Sequence, residues 1–179
     1  MKTITVNLKN RSYNIVIGAN VLNQAGEYLS ELSIGTDAYI ITNRLLKKKY
    51  GALLTKVLTR AHLSARFRLV PDTEKSKSLS LVSEIIKNLA SFDKKKHVFI
   101  IAFGGGVIGD LSGFIASIYK RGIPYIHLPT TLLAQVDSSI GGKTGVDLEA
   151  GKNLVGAFYQ PRLVISDISL LSSLSQRQL

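Results

Sequence analysis

Six consecutive apolar residues, Val98 to Phe103, run into three glycines, Gly104 to Gly106, and then into a helical pattern. An unbroken apolar run suits a parallel strand covered on both faces. The pattern after it sets Val107, Leu111, Phe114, Ile115 and Ile118 on one side of a helix. A buried strand, a glycine turn and an amphipathic helix make half of a βαβ unit. The chain must therefore supply helical layers above and below a sheet.

The flanking sequence is consistent with that demand. Thr3 to Leu8 and Tyr13 to Ile17 read as strands around an Asn10-Arg11 turn. A helix is expected from Asn20 to Leu32, with Val21, Leu22, Ala25, Leu29 and Leu32 on one face. Ala38 to Ile41 is a short buried strand ending at Thr42-Asn43, and a basic amphipathic helix runs on to about Arg60. Phe67 to Val70 is a strand. Asp72 and Thr73 are placed to cap a helix with the stripe Leu79, Val82, Ile85, Ile86 and Leu89. Tyr125 to Leu128 is a further strand, and from Thr130 the pattern loosens into loops rich in Gly, Ser and Thr. The expectation is one α/β domain over 1–179 with a mostly parallel sheet.

The chain has no cysteine, which excludes disulfides, thiolate metal sites and a cysteine nucleophile, and suits a reducing cytoplasm. The N-terminus lacks a signal-peptide core, and no apolar run approaches the roughly 20 residues that span a bilayer. A net charge of +11 raises the question of a nucleic-acid partner. That charge is dispersed, as in Lys47-Lys48-Lys49 and Lys94-Lys95-Lys96, without the interleaved aromatics a stacking surface needs. Solvated faces and attraction of small anions are the expected reading.

Gly104 to Gly109 formally matches G-x-G-x-x-G. Glycine lets backbone approach a phosphate, and a helix N-terminus offers free N–H groups. The same residues also suit a plain strand-to-helix turn. The usual dinucleotide fingerprint opens the first βαβ unit and meets an acid about 20 residues on. Here the turn comes late, and the next strand ends in Pro129-Thr130-Thr131 without an acid. Gly141-Gly142-Lys143-Thr144 is no Walker A loop, because Asp137 stands where its first glycine belongs.

The segments 128–146 and 151–161 carry more polar and glycine residues than packing requires. Lys143 and Lys152 lie in glycine-flanked stretches and can reach an anion. Asp137 offers a carboxylate and Asn153 a neutral donor. His62, His97 and His127 show no ligand spacing.

With these pieces in view, the chain resembles the N-terminal domain of the 3-dehydroquinate synthase family. The resemblance rests on GGGVIGDLSGF at 104–114, YKRG at 119–122, LPTTLLAQVDSSIGGKTGV at 128–146 and GKNLVGAFYQP at 151–161. It implies a Rossmann-like sheet and a shikimate-pathway lyase of aromatic amino acid biosynthesis. The reaction would convert 3-deoxy-arabino-heptulosonate 7-phosphate to 3-dehydroquinate and phosphate, using NAD and a divalent metal, zinc or cobalt. Asp72, Glu74 and Lys77 resemble the family's D-G-E-x-x-K cofactor loop, with Thr73 in place of its usual glycine. The resemblance places Thr42 and Asn43 on the adenosine side and Gly105, Gly106, Val107, Ile108, Gly109 and Asp110 at the pyrophosphate. It adds Thr130, Thr131, Lys143, Lys152, Leu170, Leu171, Ser172 and Ser173 as cofactor contacts. Asp137, Lys143, Lys152 and Asn153 would line the substrate. Arg121 would reach the substrate phosphate of a neighbouring subunit, implying a homodimer. The family's metal ligands have no counterpart in the chain, so the 179 residues alone are expected not to complete the reaction. The alternatives are another sugar-phosphate cyclase such as a 2-deoxy-scyllo-inosose synthase, a polyol dehydrogenase of the glycerol dehydrogenase type, and a catalytically dead nucleotide-binding module.

Overall fold

The structure, a computed structural model, describes residues 1–174. The chain begins with β1 (Lys2–Val6), β2 (Tyr13–Gly18), α1 (Ala25–Leu32), β3 (Asp37–Thr42), α2 (Arg44–Arg60) and β4 (Ser64–Leu69). It continues with α3 (Leu79–Phe92), β5 (Val98–Gly104), α4 (Gly106–Ile118) and β6 (Tyr125–Pro129). It ends with β7 (Lys143–Leu148), β8 (Gly151–Phe158), β9 (Leu163–Asp167) and a short 3₁₀ helix, Ile168–Ser173.

Seven strands form one sheet in the order β1-β2-β9-β6-β5-β3-β4, and β7 and β8 form a separate hairpin. All pairings in the large sheet are parallel except the terminal β1–β2 hairpin. Both β3 and β5 are buried at every position, as the unbroken apolar run demanded. Alternate residues feed two cores. Ile40, Phe99, Ile101 and Phe103 meet Leu29, Leu54 and Leu58 of α1 and α2 on one face. Tyr39, Ile41 and Ile100 meet Ile85, Leu89, Leu111 and Ile115 of α3 and α4 on the other. The expected α/β architecture is therefore present. Among the described residues no helix is long and apolar enough to cross a membrane.

Strand order turns round between β3 and β5. The chain leaves β3 outward to β4, then returns past β3 to β5 and β6. In such sheets the crevice beyond the carboxyl ends of the strands at this switch point is where ligands bind. The opposite end of β3 is closed by polar contacts. Buried Asp37 accepts from Ser64 Oγ (2.7 Å), Thr36 Oγ1 (2.8 Å) and Lys96 Nζ (2.8 Å). Burial alone would raise its carboxyl, but these donors outweigh it and hold the pKa at about 2.

Several local expectations are corrected. Residues 20–32 split into a 3₁₀ turn, Val21–Gln24, and α1, because Asn20 adopts a left-handed conformation and cannot start a regular helix. Leu32, Leu79 and Ile118 sit at helix ends beyond the sheet and are exposed. Asp72 and Thr73 do not cap α3. Ser78 does, its hydroxyl accepting from Leu81 N at 3.3 Å, while residues 74–76 form a separate 3₁₀ turn. The expected loops after Thr130 contain a π-turn, Ala134–Ser138, the β7–β8 hairpin and β9. Lys143 and Lys152 accordingly stand on strands rather than loops. Glycine in β8 hid the hairpin: a Cβ on Gly156 would lie 2.3 Å from Thr144 O, so only glycine lets the strands meet.

Candidate functional site

At the switch-point crevice, β5 stops at Gly104 and α4 starts at Gly106, with Gly105 as N-cap. The first N–H groups of α4 have no carbonyl one turn below them and face the crevice with the positive end of the helix dipole. The turn carries no side chain of its own, and the side chains of Thr131 and Ser138 stand against it. A Cβ on Gly105 would lie 3.3 Å from Thr131 Cγ2, and one on Gly106 would lie 3.2 Å from Ser138 Oγ. The helix can sit this close to β6 because Gly109 faces His127. A Cβ there would be 2.4 Å from two ring atoms. His127 is buried, and burial pushes its pKa down to about 4, so the ring is neutral.

Segments from both sides close on this turn. Thr42 ends β3, buried, its Oγ1 without a protein partner. Asn43 caps α2 by accepting from Leu46 N (2.8 Å) and donates to Asp72 Oδ2 (3.0 Å). Thr130 N donates to Gly104 O (3.0 Å), fixing the end of β6. Thr131 Oγ1 accepts from Ala134 N (3.2 Å) and starts the π-turn.

The charged residues form one network. Lys77, only 4% exposed, donates from Nζ to Asp110 Oδ2 (2.8 Å) and to Asn153 Oδ1. Glu74 lies 4.0 Å from Lys77 Nζ and 3.5 Å from Lys152 Nζ. Burial raises the Asp110 carboxyl above its ordinary range, and the Lys77 ammonium draws it part of the way back. A cleft of about 530 Å³ beside this network is lined by Asp110, Asp137, Ser138, Lys143, Asn153 and Phe158 among others. An anion with hydroxyl groups meets the Lys143 ammonium, the carboxylates of Asp110 and Asp137 and the Asn153 amide there.

Most sequence-singled residues therefore converge at one end of the sheet. Val107 is half-buried and Ile108 fully buried, so at the turn both can offer only backbone. Leu170 packs its side chain into the core. Leu171 and Ser172 lie on the short helix after β9, Ser172 Oγ donating to Ser169 O (2.7 Å). The side chain of Ser173 lies outside the described residues. Arg121 stands apart, exposed on the Tyr119–Arg121 turn at the far end of α4, about 20 Å of helix from the glycine turn. His62 and His97 are exposed on turns. Among the described residues no cluster of three His, Cys, Asp or Glu could hold a metal ion.

Three residues at the site were not singled out in the sequence. Ser138 lines the cleft with an unpartnered, buried hydroxyl. Gln135 donates from Nε2 to Pro129 O (3.2 Å) and Asp167 O (3.0 Å), tying the ends of β6 and β9 where their pairing stops. Asp147 sits at a β-bulge beneath Asn153. The only sequence signal for Gln135 and Ser138 was their place in the polar stretch 128–146.

The sequence and the fold both have known relatives. Residues 67–179 match the family model described as 3-dehydroquinate synthase N-terminal. A 3-dehydroquinate synthase from Dehalococcoides mccartyi (strain ATCC BAA-2266 / KCTC 15142 / 195) is 46% identical over 99% of this chain and 50% of its own length. The chain thus spans about half the length of the curated relatives it matches. A 2-deoxy-scyllo-inosose synthase structure, complexed with carbaglucose-6-phosphate, NAD+ and Co2+, superposes with a TM-score of 0.90. It is 29% identical, covering 99% of this chain and 48% of that one. A 2-epi-5-epi-valiolone synthase from Streptomyces hygroscopicus subsp. jinggangensis 5008, with NAD+ and Zn2+ bound, superposes at 0.83. It too is 29% identical, over 97% of this chain and 48% of that one. With that family model matched over residues 67–179 and 46% identity over almost the whole chain, the chain belongs to the family of 3-dehydroquinate synthase N-terminal domains.

Proposed function

We propose that residues 1–179 form the NAD-holding α/β domain of a 3-dehydroquinate synthase. In this reading the chain supplies one wall of the site that turns 3-deoxy-D-arabino-heptulosonate 7-phosphate into 3-dehydroquinate and phosphate. That makes it part of a cytoplasmic carbon–oxygen lyase that acts as a homodimer. The observation that carries the reading is identity: 46% over almost the whole chain to a 3-dehydroquinate synthase, against 29% to cyclases named for other products.

The residues fit NAD. Gly105 and Gly106 put no side chain of their own at the α4 N-terminus, and Thr131 and Ser138 stand at its edges with hydroxyls. The pyrophosphate would take the N–H groups of 106–108, since Gly109 N already donates to Gly105 O (3.0 Å). Asn43 and Asp72, bonded to each other across the crevice, would receive the adenosine end. Bound NAD supplies reversible hydride acceptance, so that the substrate is oxidised and reduced again with no net redox change. Lys77 would hold the acidic neighbours Asp110 and Glu74 in place beside the nicotinamide half. Lys143 and Lys152 would draw the anionic substrate, Asn153 would donate to its hydroxyls, and Asp137 would accept from them. Arg121, exposed on the turn after α4, would serve a second copy. No described residues fit a divalent metal, so no step is assigned through one.

A substrate panel tests this reading. The chain, fused to the second half of the Dehalococcoides relative and given NAD and zinc, is expected to release phosphate from the heptulosonate 7-phosphate without accumulating NADH. Turnover of glucose 6-phosphate instead would favour an inosose synthase. Steady NADH production from a polyol would favour a dehydrogenase. NAD binding without turnover of any substrate would favour an inert nucleotide-binding module. The 179 residues alone are expected to release no phosphate.

A further inference from the structure

Asp147 stands in none of the contacts assigned to ligand, yet three parts of the site meet on it. Its backbone N–H donates to Lys77 O at 2.8 Å, bringing β7 beside the 74–77 turn in a short parallel bridge with Ser78. Its carboxylate accepts from the backbone N–H of Asn153 at 2.7 Å. The β7–β8 register shifts between Val146↔Val155 and Leu148↔Gly151, so Asp147 stands opposite a bulge of β8 that contains Asn153. Bulges gather beside active sites, where they re-aim side chains.

Asn153 is the residue that needs such support. Its φ is +53°, a left-handed conformation that costs a non-glycine residue about 1 kcal/mol. The strain persists because something holds it. In this conformation its side-chain oxygen receives the Lys77 ammonium. The contacts close a ring: Asp147 carboxylate to Asn153 N–H, Asn153 amide to Lys77 Nζ, Lys77 carbonyl to Asp147 N–H. Seventy or more residues separate Lys77 from the other two, so no local preference explains the ring.

We infer that Asp147 is a positioning residue, which holds Asn153 in its left-handed conformation and so keeps Asn153 and Lys77 aimed at the ligand cleft. The inference rests on the proposed function only in taking the cleft as the NAD and sugar-phosphate site. Asp147→Asn keeps an oxygen at the same place and retains the function. Asp147→Ala releases Asn153.

The test uses the 179-residue chain with two readouts. Isothermal titration with NAD is expected to show about tenfold weaker binding for Asp147→Ala and near wild-type binding for Asp147→Asn. In an Asn153→Ala background, Asp147→Ala is expected to add no further loss, because it acts through that side chain. Amide hydrogen exchange at Asn153 is expected to speed up about tenfold or more in Asp147→Ala but not in Asp147→Asn. Should Asp147→Ala not fold, Asp147→Ser, too short to reach the Asn153 amide, carries the same expectations. Equal losses in both backgrounds would mean a merely structural role and overturn the inference, as would unchanged affinity and exchange. A wild-type chain that binds no NAD would sink the proposed function instead, and exchange at Asn153 alone would then decide this inference.

Discussion

Replacing Gly109 with alanine is expected to lower the melting temperature by about 4–8 °C and to abolish measurable NAD binding. In most helices that change stabilises by up to about 1 kcal/mol, since alanine has the better propensity. Here the added Cβ would meet Cε1 and Nε2 of His127 at 2.4 Å. The ring cannot retreat. It is buried on β6 between β5 and β9, with the Tyr125 ring 6.5 Å away. Overpacking of this kind costs roughly 1–3 kcal/mol, and α4 must move off the sheet to relieve it. A net loss of about 2 kcal/mol corresponds to that shift for a chain of this size. The same motion displaces the N–H groups of the glycine turn, so binding fails with stability. Gly51→Ala is the control. Its Cβ would meet Lys47 Cγ at 3.2 Å, the stem of a flexible side chain, and Phe67 Cζ at an ordinary 3.8 Å, and α2 is expected to keep its stability. Differential scanning calorimetry and NAD titration read both effects.

The second large effect is expected at Lys77. Lys77→Met removes the ammonium held by Asp110 and Asn153 and leaves their acceptors without a partner. Breaking a buried pair from one side is costly because the remaining charge stays desolvated. Asp110 is partly exposed, which reduces the penalty to about 2–3 kcal/mol at neutral pH. The pH dependence has a fixed sign. Burial already raises the Asp110 carboxyl, and without Lys77 it rises further. A carboxyl raised by folding takes up a proton more readily in the folded chain. The stability it contributes is full in acid and is lost as pH rises through its folded pKa. The deficit of Lys77→Met should therefore be smaller at pH 5 than at pH 8. Adding Asp110→Asn should recover part of it at pH 8, since the stranded charge is gone. Denaturant melts of the two variants at both pH values check this. A deficit independent of pH would show that Asp110 carries no charge that matters. NAD affinity should fall about 100-fold in Lys77→Met and stay low in the double variant.

How the sheet and the site became visible in the sequence differs from element to element. Val98 to Phe103 announced a buried strand because both its faces are covered, and apolar character needs no partner to be seen. The helix faces of α1, α3 and α4 followed from their periods, but Leu32, Leu79 and Ile118 overran the sheet at helix ends. The β7–β8 hairpin did not show, because Gly145 and Gly156 interrupt alternation where two backbones touch. The start of α3 was misplaced because Asp72 and Ser78 are both capping types, and the turn at 74–76 that separates them comes from Ser76 Oγ bonding Pro71 O (2.6 Å). The glycine turn was legible as a phosphate seat or a plain turn, and only the neighbouring segments decide between them. The Lys77, Asp110 and Asn153 network was named residue by residue through resemblance, yet the bonds among them join positions 33 and 76 apart. Asp147 and Gln135 carry no motif, since their work is to hold other residues.

The central claim is that the α4 N-terminus seats the pyrophosphate of NAD. Titrating NAD into isotopically labelled 179-residue chain and following backbone amides tests it directly. The account predicts the largest shifts at Gly105 to Asp110, with Thr130 and Thr131 next and the buried end around Asp37 unmoved. Saturable binding with shifts centred elsewhere, or an unperturbed glycine turn at saturation, would contradict it.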